Sequence, residues 1–88
     1  MKVENMTSSR GHQVPNQFLI HDEIGVYFQS YDTVIAFCPN NGGVTKLDRD
    51  AWDYSVTTGK YRNIFLGEKK AETIRKIASG EYILTDLN

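Results

Sequence analysis

The densest run of side chains able to do chemistry is Tyr54-Ser55-Val56-Thr57-Thr58-Gly59-Lys60-Tyr61-Arg62. It sets three hydroxyls, Ser55, Thr57 and Thr58, just ahead of two cations, Lys60 and Arg62. A helix capped by Thr57 or Thr58 would leave its first amide N–H groups without intrahelical acceptors and with partial positive charge. Free N–H groups, hydroxyls and cations within one turn make an anion site. Lys69, Lys70 and Lys76 follow on the next stretch, and Tyr54 is placed to stack on an unpaired base. Arg10, in a Ser/Gly-rich loop, is a further candidate. The expected nucleic-acid or anion-binding set is therefore Arg10, Ser55, Thr57, Thr58, Lys60, Arg62, Lys69, Lys70 and Lys76, with Tyr54 for stacking. Six cations would make such binding strongly salt-dependent.

Other chemistries lack their residues. Thr57-Thr58-Gly59-Lys60 is like the end of a nucleotide phosphate loop, but the upstream glycine, the preceding strand and the Ser/Thr after lysine are missing. Gly42-Gly43 follows Asn41 and reads as a hairpin turn. Ser, His and Asp all occur, yet no nucleophile elbow of the G-x-S-x-G type is present. Cys38 lies beside Phe37 in the most apolar run, where a thiol is inert. His12, His21 and Cys38 are spaced by nine and seventeen residues, without the close pairs of a zinc site. Asp48, Asp50 and Asp53 are explained by capping and dipole at a helix start. The expectation is a protein with no catalytic residues, no metal and no cofactor.

Eighty-eight residues, 40% of them apolar, make one globular domain spanning 1–88. So small a domain buries only about 60–65% of its unfolded surface, and a homodimer would be one way to bury more. A single cysteine and an N-terminus without the apolar run of a signal peptide point to the reducing cytoplasm. No stretch approaches the length of a membrane span, so no membrane partner is expected. The net charge of −1 hides an uneven layout. Lys2 and Arg10 against Glu4, Asp22, Glu23 and Asp32 leave residues 1–44 at −2. Residues 57–80 stand at +4, with Lys60, Arg62, Lys69, Lys70, Arg75 and Lys76 against Glu68 and Glu72. That local excess attracts phosphate.

These side chains need a scaffold, and the pattern supplies one. Residues 1–9 offer an edge strand and 8–16 a loop. Gln17–Asp22 and Val26–Tyr31 are short β-rich runs that pair as a hairpin. Thr33–Cys38 reads as a central strand, and Asn41-Gly42 turns the chain back into Val44–Leu47. Asp48 is placed to cap a short helix at about 48–53, with Leu47 and Trp52 as a hydrophobic staple. A second helix at about 58–66 sets Tyr61, Ile64 and Phe65 on one apolar face, and Gly67 stops it. A third, at about 68–78, turns Ala71, Ile74, Ile77 and Ala78 inward and Thr73 and Lys76 to water. Glu81–Leu87 reads as a final strand. The fold class is α+β: an antiparallel sheet of about four to five short strands, two to three short helices on one face, and a C-terminal strand.

Three stretches resemble a known group. These are Tyr27-Phe28-Gln29-Ser30-Tyr31-Asp32, Ser79-Gly80-Glu81-Tyr82-Ile83-Leu84-Thr85-Asp86-Leu87-Asn88 and the longer motif Trp52-Asp53-Tyr54-Ser55-x-Thr57-Thr58-x-Lys60-Tyr61-Arg62-Asn63-x-Phe65-Leu66-Gly67-Glu68. With Thr7-Ser8-Ser9-Arg10-Gly11 added, nearly the whole chain resembles an uncharacterised family of small bacteriophage, prophage and plasmid proteins. The resemblance implies an accessory role inside an infected bacterium and carries over no catalytic or binding residue. Two functions are expected from residues and resemblance together. One is non-enzymatic nucleic-acid binding through the helix start and the basic helix. The other is binding and inhibition of a bacterial host-defence or regulatory protein.

Overall fold

The computed structural model describes residues 1–88. Six strands form one sheet in sequence order: β1 (Lys2–Thr7), β2 (Gln13–His21), β3 (Gly25–Ser30), β4 (Thr33–Pro39), β5 (Thr45–Asp48) and β6 (Tyr82–Thr85). Two helices, α1 (Val56–Leu66) and α2 (Lys70–Ser79), lie between β5 and β6. β1 to β5 is an antiparallel meander, whereas β6 runs parallel to β5. That orientation follows from the connection, because a crossover carrying two helices returns the chain to the end of the sheet where it started. The α+β class expected from the pattern is the fold observed, and the six strands the pattern offered all form, the last of them parallel to its neighbour.

Local chemistry sets the turns. The Asp22 carboxylate accepts the amides of Ile24 at 2.9 Å and Gly25 at 3.1 Å, closing the β2–β3 turn. Gly25 must stay bare, since a Cβ there would meet the Cys38 carbonyl and stand 2.7 Å from the Phe37 ring. Gly42, at φ 76°, takes the left-handed position of the β4–β5 turn. Between Phe28/Gln29 of β3 and Val34/Ala36 of β4 the register slips, and the extra residue, Ile35, is swallowed by the core.

Residues in register share a face. One row, Leu19, Phe28, Ala36, Leu47 and Leu84, runs across the sheet, and the helices pack on that side. Phe65 of α1 stacks on Phe28 at 5.8 Å, and Tyr61, Ala51 and Met6 complete the core with Trp52, Leu66 and Ile77 around it. The opposite row is Val3, Ile20, Tyr27, Phe37, Lys46 and Ile83, with Tyr27 and Phe37 in ring contact at 4.5 Å. No helix lies over it, and Val3 and Ile83 at its ends are about half exposed.

The helices differ from their expected bounds and faces. The expected helix at 48–53 does not form: Asp48 ends β5 and residues 49–53 form turns, which Asp48 caps by accepting the amides of Ala51 at 2.9 Å and Asp50 at 3.2 Å. Only one α-type bond follows, from Trp52 N to Asp48 O. Ser55, not Thr57 or Thr58, caps α1, its Oγ accepting the Thr58 amide at 3.1 Å. The helix thus starts earlier, and its inward face is Thr58, Tyr61, Arg62 and Phe65, leaving Ile64 53% exposed. In α2 the inward residue is Thr73, with Lys76 and Ile77 half-buried, while Ala71, Ile74 and Ala78 are exposed. Both helices hide polar side chains because acceptors wait for them in the core.

Candidate functional site

The turn after β5 and the first turns of α1 enclose an open cleft of about 610 Å³, lined by Asp53, Tyr54, Ser55, Lys60, Arg62 and Lys70 among others. Arg62 forms its floor and is 1% exposed. The guanidinium donates through Nη1 to the Trp52 carbonyl at 2.7 Å and to Asp53 Oδ1 at 3.1 Å, and through Nη2 to Asn63 Oδ1 at 3.0 Å. It also lies 5.2 Å over the Trp52 ring. Its Nε is buried without an acceptor. Asp53 turns its other oxygen to Lys70 Nζ at 2.6 Å, so one carboxylate bridges two cations. The Lys70 hydrogen bond, seconded by burial-opposing bonds from Arg62, holds Asp53 below the usual carboxylate range. Lys60 lies on the cleft wall, 5.4 Å over the Tyr61 ring, and forms no ion pair. With three cations against one carboxylate, the cleft is net positive.

The ten expected site residues fall into two groups. Tyr54, Ser55, Lys60, Arg62 and Lys70 come together at the cleft. Tyr54 is half exposed at its rim, free to meet a flat ligand. The other five do not join them. Thr58 is fully buried and shares a 2.9 Å hydrogen bond with Ser30, seating α1 on β3. Thr57 is exposed outside the lining. Lys69 is the exposed N-cap of α2 and makes no side-chain capping bond. Arg10 sits in the tight Ser8–His12 connection between β1 and β2, outside the cleft.

Lys76 belongs to a separate buried network centred on Glu68. That carboxylate is only 7% exposed and accepts from Lys76 Nζ at 2.8 Å, Tyr82 Oη at 2.8 Å and Thr73 Oγ1 at 2.5 Å. Burial alone would raise the Glu68 pKa, but these three donors prevail and lower it. The same pairing raises Lys76, while burial and the nearby Glu68 raise Tyr82. Lys76 is therefore already neutralised within the fold.

Sequence reasoning passed over Asp53, Gly59 and Asn63. Asp53 was explained by a helix start that does not form, and its partners stand nine residues away at Arg62 and further on at Lys70. The one available signal was an acidic residue immediately before a run holding two cations.

Fold and site define a small α+β domain with a mixed-charge cleft and a buried arginine beneath it. The chain belongs to a family of unknown function, DUF8033, whose model matches residues 1–81. No curated protein and no solved structure matches it. No helix is long and apolar enough to cross a membrane.

Proposed function

We propose that the protein is a non-enzymatic, phage-type accessory protein of the bacterial cytoplasm that binds nucleic acid at the α1 cleft. The observation that carries this reading is the convergence of Lys60, Arg62 and Lys70 on one open cleft with half-exposed Tyr54 at its rim. Phosphate meets the lysines while an unpaired base stacks on the tyrosine, the arrangement a single strand requires. Lys69, the cap residue beside Lys70, extends the contact. Arg62 and Lys76 are buried or half-buried and add no phosphate of their own, so about three lysines, Lys60, Lys69 and Lys70, set the number of phosphates met. At roughly 0.7 per phosphate on a single strand, log K should fall with log salt at a slope of about −2, half of what six cations would give.

A gel-shift titration of a single-stranded oligonucleotide across a salt series tests this. Lys60→Ala and Lys69→Ala should each weaken binding and each reduce the slope by about 0.7, while Tyr54→Ala should weaken it without changing the slope. No binding at about 50 mM salt, or binding indifferent to all three changes, overturns the reading. A second reading, inhibition of a host-defence or regulatory protein, is favoured by the row Val3–Ile20–Tyr27–Phe37–Lys46–Ile83, apolar but for Lys46, that no helix covers. A pull-down from nuclease-treated bacterial lysate separates the two: nucleic acid is lost from the bait, a protein partner is retained.

A further inference from the structure

We propose that Arg62 and Lys70 form a seat for a phosphate oxyanion, which the Asp53 carboxylate fills in the free protein and yields to the ligand. The inference rests on the nucleic-acid reading of the same cleft and adds how that cleft is occupied when empty of strand.

Three observations carry it. Asp53 spans two cations, with Oδ1 3.1 Å from Arg62 Nη1 and Oδ2 2.6 Å from Lys70 Nζ. A phosphate presents oxygens to the same two donors in charge-assisted bonds. The guanidinium, 99% buried, is not fully satisfied: three of its five N–H groups are taken, and Nε finds no acceptor. Both Asp53 oxygens are engaged on Nη1 and Nζ, and a phosphate offers these two cations more oxygens and more charge. Finally, the wall of the cleft beside Arg62 is Gly59, in the interior of α1, where a Cβ would stand 3.6 Å from Nη2 in ordinary contact. No conformational need places glycine there, and any side chain at 59 would stand at the face of the guanidinium. Asp53 itself lies in an irregular turn, outside helix and strand, so it can swing away without unmaking either. The alternative is a carboxylate that serves only to neutralise a buried arginine and gives way to no ligand.

Thermal unfolding decides between the two. Wild type, Asp53→Ala and Asp53→Asn are melted in inorganic phosphate and in sodium chloride of equal ionic strength. Both variants should melt lower than wild type in chloride. Phosphate at about five times its dissociation constant should raise the variants by about 5 °C, and wild type, whose seat is taken, by about 1 °C at most. Adding Lys70→Ala to Asp53→Asn should abolish the response. If Asp53→Ala is unfolded in chloride, recovery of its native circular dichroism in phosphate supports the seat, and the asparagine variant is read by melting as before. A phosphate response no larger in Asp53→Asn than in wild type overturns the proposal. The oligonucleotide arm keeps the two readings apart. A variant that answers to phosphate while no form of the protein binds the strand upholds the seat and removes nucleic acid as its occupant. Strand binding left unchanged by Asp53→Asn, with no phosphate response, upholds nucleic-acid binding and overturns the seat.

Discussion

Arg62 carries a full charge at a place where hydrophobic residues usually sit, and its neighbours make that tolerable. Asp53, the Trp52 carbonyl and Asn63 each take one of its donors, and the Trp52 ring lies against its face. Such an ion is stable only in company, because a buried charge stripped of its partner costs about 3–5 kcal/mol. Glu68 is the mirror case, a nearly buried carboxylate surrounded by three donors. Replacing it with glutamine keeps the shape but removes the charge, and should lower stability by about 1–3 kcal/mol in urea titrations. The same residue governs acid behaviour. Asp48, Asp53 and Glu68 all have folded pKa values below their unfolded ones, so the stability they confer is complete at neutral pH. It is lost as pH falls below about 4 and through those depressed values. Urea midpoints measured from pH 7 to pH 3 should stay level and then drop, and Glu68→Gln should make that drop shallower. At this scale the sequence was least readable. Arginine and threonine at 62 and 58 look like surface residues, and only the acceptors waiting at Trp52, Asp53 and Ser30 reverse that, none of which is near in sequence order except by folding.

Among the elements, α1 shows how one residue's role moves a boundary. With Ser55 as cap, Val56 begins the helix, and the inward stripe is Thr58-Tyr61-Arg62-Phe65 in place of Tyr61-Ile64-Phe65. The apolar pattern alone was therefore right about Tyr61 and Phe65 and misleading about Ile64. Ser55→Ala should cost about 1 kcal/mol, a fall of roughly 4–8 °C in melting temperature for a domain of this size. The strands were more legible. The β2–β3 and β3–β4 hairpins and the Asn41-Gly42 turn follow from period-2 runs and turn residues and appear where expected. Less legible was β2, which begins at Gln13, inside a stretch of Gly, Pro and Asn that reads as loop. There the Asn5 side chain bonds the Val14 carbonyl and the register against β1 slips, so pairing survives an irregular backbone.

For the molecule as a whole, alternation in the strands and two amphipathic stretches were enough to give the α+β class, because both signals are local. The parallel placement of β6 was not, since it is a statement about where a crossover ends rather than about any window of residues. The candidate site was half legible for a related reason: Lys60, Tyr54 and Ser55 are adjacent in sequence, whereas the Arg62–Asp53–Lys70 arrangement exists only once the turn and both helices are packed.

Asp48 is the point where that crossover is tied off. Besides capping its own turn, it accepts the Leu87 amide at 2.9 Å and the Asn88 side chain at 3.1 Å, forty residues away. Asn88 in turn holds the Val34 amide and carbonyl, at 2.8 and 3.0 Å. The two ends of a long loop are thus pinned to each other and to β4, as a disulfide would pin them in a secreted protein. In a chain with a single cysteine, this is a cross-link made of hydrogen bonds, and one that acid, by protonating a single carboxylate, can unlatch.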